Sequence, residues 1–376
     1  MFKIGLHKDD EGVLRYIHKK LAIGNVRLYR NECTFSVTDQ EGIKLLISIF
    51  DKFNLNTTKY IDYLDFKKAF NLYINRDKKI ISFGESMPKL EVVACAENTL
   101  FKSILELKNK MNTNRIDFNR PENSKIVITP SWLLGFVEGN GTFFVRRDTL
   151  TPVFCIEITG VQHEVLLKTQ EFLEKSLGFN LYSLYKLKNS STIALTTIKA
   201  INNVKSRVAL TIKNVRVINN FLIPFFDAMR FFTKKSKDFQ DFKIICRAVH
   251  NGASRKDEIK RLILKLSYTM NSFRLSTTAS LSTNYEGASS GALSKDEREK
   301  LSNAAPTVEH LSDGRVIDIL TRKVIPQRIS CVYEIRELNG EIFMANTLSE
   351  AASIVGVYPV TLSKYLDVEI LDSIEH

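Results

Sequence analysis

Residues 130–147, PSWLLGFVEGNGTFFVRR, gather the groups whose types and spacing can support chemistry. Thr129 and Pro130 supply an N-cap and a first-turn proline, so a helix of about two and a half turns is expected to end at Gly141. Gly135 and Gly139 fall four apart on one face of it. Glycine costs a soluble helix roughly 1 kcal/mol relative to alanine, so the pair points to a backbone approached closely by a second helix or by its own sheet. With a second helix there, two helix C-termini lie side by side, and carboxylates gathered at that point need a cation to neutralise them. Such a pair can hold divalent metal for phosphodiester hydrolysis. Here the end of the helix carries Glu138 and Asn140. Two positions on a helix are rotated by about 200°, so Glu138 does not replace a side chain at 140, and a neutral amide is a poor ligand for Mg²⁺.

The elements that position this stretch come in two copies. Residues 46–67, LISIFDKFNLNTTKYIDYLDFK, align without a gap to residues 222–243, LIPFFDAMRFFTKKSKDFQDFK. Ten of 22 positions are identical: Leu46, Ile47, Phe50, Asp51, Thr57, Lys59, Asp62, Asp65, Phe66 and Lys67 recur 176 residues later, a self-similarity that marks two copies of one unit. Upstream, each copy reads as a strand, a helix, a turn at Gly24 or Gly178, a strand pair such as NVRLYR with CTFSVTD, and another helix. The links between strands are too short for crossovers, so the sheets are expected to be antiparallel and the class α+β. The helix at 130–140 and the strand TFFVRR precede the second copy, where TFFVRR is expected to pair with PVFCIEI; residues 1–75 contain no counterpart of either.

LLGFVEGNG resembles the LAGLIDADG motif, and the two-copy layout resembles single-chain LAGLIDADG homing endonucleases and intron maturases of organelle genomes, over residues 1 to about 275. NKMNTNRIDFNRPENSKIVITPSWLLGF before the motif and YTMNSFRLSTT at the close of the second copy belong to the same likeness. The resemblance implies two αββαββα-type units whose sheets form a saddle over a duplex, with a metal-dependent site at paired motif helices. It puts the family's catalytic acid at Asn140 and the motif's earlier acidic position, at the helix interface, on Glu138. The other catalytic acid would belong to a first motif, which residues 1–75 do not contain, so no catalytic residue is expected intact. Lys59 and Lys235 match the family's basic pocket residues. Arg146 and Arg147, and Arg27, Tyr29 and Arg30, fall on strands that form its nucleic-acid-facing saddle. Strand alternation lets only one of two adjacent residues face the saddle, and the sequence leaves open which.

Charge agrees with a polyanion partner. The net charge is +12, but residues 295–376 hold 9 Lys plus Arg against 14 Asp plus Glu, so residues 1–294 carry 45 against 28, a net of +17. No apolar run approaches the roughly 18–20 residues that span a bilayer, so no membrane role is expected. Five cysteines stand far apart without ligand spacing, which argues against zinc and for a reducing environment. The first residues do not read as a cleavable targeting segment, and a mitochondrial setting is implied by the resemblance alone.

The expected organisation is a first repeat over 1–75, a connection over 76–128, the second repeat over 129–275, a flexible Ser/Thr/Gly/Ala linker over 276–294 and a small domain over 295–376. In the last, RVIDILTRKV and CVYEIRELNGEIF read as strands, the second with an Asn339-Gly340 turn, followed by a capping box at Thr347 and Glu350, a turn at Gly356 and a helix from Pro359. That layout is similar to nuclease-associated modular domains of helix-turn-helix type, which would aim Tyr358, Thr361, Ser363 and Lys364 at a groove. Protein contact or a purely structural role is the alternative, since the segment is acidic. The expected function is nucleic-acid binding without catalysis or a cofactor, with structured RNA favoured over duplex DNA, as a maturase-like protein or part of an organellar ribonucleoprotein with protein partners. The alternative is a Mg²⁺-dependent DNA endonuclease completed by a partner chain.

Overall fold

The computed structural model describes residues 1–75, 89–122, 124–177, 193–200, 205–277, 292–311, 316–325, 333–336, 342–345 and 348–362. The chain divides into two compact units, Met1–Gly135 with Glu157–Phe172 and Thr197–Ala209, and Phe136–Ile156 with Leu173–Thr196 and Leu210–His376. No helix among the described residues is long and apolar enough to cross a membrane.

The chain opens with β1 (Phe2–His7), α1 (Glu11–Leu21), β2 (Asn25–Tyr29) and β3 (Glu32–Val37), in a three-stranded antiparallel sheet of order β1-β3-β2. Alternation decides its two faces. Phe2, Ile4 and Leu6 of β1 pack with Cys33, Phe35 and Val37 of β3 against Leu14, Ile43 and Leu46, while the intervening residues point away from this core. The turn from α1 into β2 needs Gly24: its φ is +71°, and a Cβ there would lie 2.5 Å from the Ser36 carbonyl oxygen. Two helices follow, α2 (Gln40–Lys52), capped by the Asp39 carboxylate on the Gly42 amide at 2.6 Å, and α3 (Lys59–Ile74).

Within the segment expected to be a connection, Lys89–Asn109 is a 21-residue helix, α4, packed along α3. The chain after it also stays on the first repeat. Asn56 and Val127 exchange two hydrogen bonds, 2.7 and 2.9 Å, and the Arg120 guanidinium caps the carbonyls of Leu55, Asn56 and Thr57 while lying 4.8 Å from the Tyr60 ring.

The second repeat begins with α5 (Pro130–Asn140), β4 (Gly141–Arg146) and β5 (Thr151–Thr159), followed by α6 (His163–Ser176), β6 (Ala194–Ile198) and β7 (Arg207–Ile212). Its sheet has the order β4-β5-β7-β6. The order of the first sheet is that of the second without β4. Phe143 of β4 sits at the centre of the core, its ring 5.2–6.1 Å from those of Phe154, Phe226, Phe231, Phe239 and Phe242. A helical run α7 follows as Val215–Val217, Ile218–Leu222 and Ile223–Asp227, its middle part a π-turn. Pro224 has no N–H to offer the preceding turn, and the π-turn absorbs that loss; the first repeat has Ser48 at the aligned position and a regular α2. Then come α8 (Lys235–His250) and α9 (Asp257–Ser267).

Residues 295–311 and 316–325, grouped by sequence with the C-terminal domain, pack on α8 and α9. The helix α10 (Lys295–Ser302) opens with a capping box between Ser294 and Glu297, buries Leu301, and pairs Arg298 with Asp241 and Glu297 with Lys265. RVIDILTRKV is not one strand. Val316–Asp318 forms β9, paired with β8 (Val308–His310), and the Asp318 carboxylate then accepts the amides of Leu320 and Thr321 and turns the chain at Arg322, φ +56°. β10 (Tyr333–Arg336) and β11 (Ile342–Ala345) pair antiparallel, ahead of α11 (Leu348–Val355) and α12 (Pro359–Leu362), with Gly356 at φ +75°. The Asn339-Gly340 turn, Thr347 of the capping box, Gly178, Ser363, Lys364 and most of the linker lie outside the described residues.

Candidate nucleic-acid interface

Strand register sorts the arginines. On the first sheet the side away from the core carries three rows across β1, β3 and β2: Lys3, Ser36 and Asn25; Gly5, Thr34 and Arg27; His7, Glu32 and Tyr29. Each row offers hydrogen-bonding groups with apolar bulk confined to Tyr29, which is 67% exposed. Arg27 is exposed on this face. Arg30 is not in the strand. It occupies the β2–β3 turn at φ +50°, its guanidinium 5.2 Å from the Tyr29 ring.

On β4 and β5 the corresponding face carries Thr142 opposite Cys155, Phe144 opposite Val153, and Arg146 opposite Thr151. The Thr211 hydroxyl reaches Cys155 Sγ at 3.8 Å, and Arg207 pairs with Glu157 on the exposed surface. Arg146 therefore belongs to the sheet face and pairs with Asp148 at 3.0 Å. Arg147 does not. Its guanidinium stacks 3.8 Å from the Tyr268 ring, and its Nε and Nη2 donate to the Ser267 hydroxyl and carbonyl at 3.1 and 3.3 Å, which fastens the end of α9.

The motif helix α5 forms as the sequence implies. Thr129 Oγ1 accepts the Trp132 amide at 3.2 Å, and Leu133, Leu134, Phe136 and Val137 are buried. Gly135 and Gly139 are exposed, and a Cβ on either would meet nothing within 4 Å beyond the helix itself. The close approach expected of this pair is absent among the described residues. Glu138 Oε1 accepts the backbone amides of Phe232 and, at 3.4 Å, Thr233, so its carboxylate holds the turn leading into α8. Asn140 is exposed and donates its amide to the Phe136 carbonyl at 3.4 Å. The end of α5 thus presents a neutral amide and a carboxylate whose Oε1 is engaged by backbone amides. Among the described residues no three His, Cys, Asp or Glu side chains stand close enough to share a metal ion.

The identities shared by the repeats serve largely the scaffold. Thr57 and Thr233 accept the amides of Lys59 and Lys235 at 3.3 and 3.2 Å, and Lys67 and Lys243 bridge to Asp51 and Asp227 at 2.7 and 2.6 Å. Asp62 and Asp65 hold Arg115, whose Nε is 2.8 Å from Asp62; Asp238 and Asp241 hold Arg274, with Nε again 2.8 Å from Asp238. Asn112 and Asn271 donate their backbone amides to Asp62 and Asp238 at 3.0 and 2.9 Å, each at a positive φ, +59° and +58°. Burial raises the pKa of Asp62, but bonds from Arg115, the Asn112 amide and Lys59 outweigh it and leave the carboxyl below its ordinary value. Lys59 Nζ lies 3.2 Å from Asp62 and 2.9 Å from Asn112 Oδ1, yet its side chain is 60% exposed. Lys235 is half-buried at the equivalent position. Sequence reasoning passed over Arg115 and Arg274, although Met-Asn-x-x-Arg recurs at 111–115 and 270–274.

Comparison with known proteins bears on both repeats. The LAGLIDADG endonuclease family matches residues 1–70 and 133–246. Among curated relatives, the chain is 29% identical over 213 residues to "Probable intron-encoded endonuclease Cox1-I1b" of Schizosaccharomyces pombe, covering 55% of this chain and 49% of that protein. It is 24% identical over 257 residues to "Probable intron-encoded endonuclease 3" of Neurospora crassa, covering 64% and 43%. The chain thus spans about half the length of these relatives or less. Among solved structures, the LAGLIDADG homing endonuclease I-GzeII in complex with its DNA target superposes with a TM-score of 0.56 at 23% identity, over 73% of this chain and 88% of that one. The meganuclease I-SmaMI bound to uncleaveable DNA does so with 0.55 at 21% identity, over 72% and 87%. Residues 1–70 and 133–246 thus match the LAGLIDADG endonuclease family in both repeats, and the chain shares its fold with solved LAGLIDADG homing endonucleases.

Proposed function

We propose that this chain binds nucleic acid on the outer faces of its two sheets and does not cleave it through the motif helix. The observation that carries the reading is the end of α5, where Asn140 presents a neutral amide and the Glu138 carboxylate is bound by two backbone amides. A phosphodiester-cleaving metal site needs carboxylate oxygens free to ligate. The sheet faces supply what binding needs: Lys3, Arg27 and Arg146 for phosphates, and Asn25, Tyr29, Thr34, Ser36 and Thr142 for hydrogen bonds or stacking. In this reading Arg30, Lys59 and Lys235 extend the phosphate contacts, whereas Arg147 acts through the fold.

Basicity retained without cutting chemistry fits a structured RNA ligand, held in a maturase-like or ribonucleoprotein role in mitochondria, with protein partners among the other components. A second reading is favoured by the relatives. The solved neighbours named above are bound to DNA and the curated ones are named endonucleases, so duplex DNA is the competing ligand and cleavage, with a partner supplying carboxylates, the competing activity. Purified protein is to be titrated with a labelled structured RNA and with labelled duplex DNA at several salt concentrations, with Mg²⁺ present. Retention of RNA at lower protein concentration than DNA, with both left intact, is expected, for the parent and for Asn140→Asp alike. A Mg²⁺-dependent double-strand break by the parent protein overturns the non-catalytic reading, and tighter retention of duplex DNA overturns the preference for RNA.

A further inference from the structure

The hairpin of β8 and β9 meets the second repeat at two stacked histidines. His250 ends α8 and His310 ends β8, with ring centroids 3.9 Å apart and planes 11° from parallel. Hydrogen bonding fixes their tautomers. His310 Nε2 lies 2.7 Å from the His250 carbonyl oxygen, which only accepts, so Nε2 carries the proton; His250 Nδ1 faces Asn251 Oδ1 at 3.3 Å and carries its own. The remaining nitrogens, His250 Nε2 and His310 Nδ1, are buried and have no hydrogen-bond partner among the described residues. A second proton on either ring creates a buried N–H without an acceptor and a charge against its neighbour's face. We infer that the His250–His310 stack is a proton-sensitive latch, which holds the β8–β9 hairpin on α8 while His250 is neutral and releases it when that ring gains a second proton.

Among the described residues the surroundings do not offset the charge: Arg216 of α7 acts on His250 with the same sign, and the hairpin carboxylates Glu309 and Asp318 are engaged by Arg322 and Arg255, each at 2.8 Å. Asp313, in the turn of the hairpin, lies outside the described residues. Burial, His310 and Arg216 lower the His250 pKa, against a bond to Asn251 that raises it. For a histidine with a lowered folded pKa, the stability is full above the unfolded value near 6.5 and falls as the pH drops below it. The neighbouring α10 is held by ion pairs of Glu297 and Asp241, and bonds from Lys265 and the Ser294 amide keep the Glu297 pKa below its ordinary value. It therefore stays docked over the same range and serves as an internal reference.

Hydrogen–deuterium exchange on the full chain at pH 7.5 and 5.5, with labelling times scaled for intrinsic rates, tests the latch. The amides of Thr307 and Val308, which donate to the Asn251 carbonyl at 2.9 and 3.3 Å, are expected to lose about tenfold in protection at pH 5.5, with α10 unchanged. His250→Phe keeps a stacked ring and the backbone carbonyl, and His310→Gln keeps a donor to that carbonyl. Each removes one ring of the stacked pair and is expected to cut the loss at least threefold. Protection in the parent that is independent of pH, or the same loss in both variants, overturns the latch.

Discussion

Replacing Arg274 with alanine tests whether the duplicated clamp is scaffold. Arg274 bridges Asp238 and Asp241, whose side chains are 5% and 3% exposed, while the α10 residue Arg298 holds the other oxygen of Asp241. Without Arg274, Asp238 retains the Asn271 amide and Asp241 retains Arg298, so each buried carboxylate loses one charged partner. Breaking a buried pair in this way costs about 3–5 kcal/mol, dominated by the charge left behind. The first repeat provides the comparison. Arg115 bridges Asp62 and Asp65, but these are 14% and 23% exposed, so water softens the loss to about 1–2 kcal/mol. Urea unfolding followed by circular dichroism is expected to rank Arg274→Ala well below Arg115→Ala, with Arg274→Lys recovering only part, since an ammonium does not fork across two carboxylates. The pH dependence carries a sign: because Asp62 has a lowered folded pKa, the clamp stabilises fully above the unfolded aspartate value near 3.9 and loses this as the pH falls through the lower folded value. Arg115→Ala should flatten that acid limb. An Arg274→Ala protein within 1 kcal/mol of the parent refutes the burial argument.

The two classes of arginine on and beside the sheets separate by assay. Arg27→Ala is expected to leave the melting temperature unchanged while lowering the slope of log K against log salt by about one, measured by filter binding across a salt series. Arg147→Ala should do the reverse, costing about 1–3 kcal/mol through the lost stack on Tyr268 and the bonds to Ser267, with the salt slope unchanged. Glu138→Gln weakens the charge-assisted bonds to the Phe232 and Thr233 amides and is expected to cost about 1–2 kcal/mol in thermal or urea unfolding without altering nucleic-acid affinity.

Local periodicity and self-similarity made the repeat legible: the alternation of Phe2, Ile4 and Leu6 marks the first strand, and the recurrence of ten residues 176 positions apart marks the helical part of each copy. The purpose of those recurrences was hidden, because a gapless comparison stops before the arginines that Asp62, Asp65, Asp238 and Asp241 bind. Asn112 and Arg115 return as Asn271 and Arg274 after 159 positions, because 44 residues separate Lys67 from Asn112 where 27 separate Lys243 from Asn271, ten of the difference lying in α4, 21 residues against 11 in α9. Conversely, RVIDILTRKV has strand composition but bends where Asp318 captures two amides, a preference no alternation pattern records. Register likewise decides between Arg146 and Arg147. Arg146 faces Thr151 across β4 and β5, and the next residue leaves the ladder for Tyr268. Formal charge alone ranked these arginines equally. Pairing ranks them otherwise, because ions matched to carboxylates cancel within the net of +17 on residues 1–294 and the surplus rests on cations such as Lys3 and Arg27, for which no carboxylate partner stands among the described residues. A polyanion attracted to that surplus is drawn to the sheet face that carries those two side chains, whatever the end of the motif helix does.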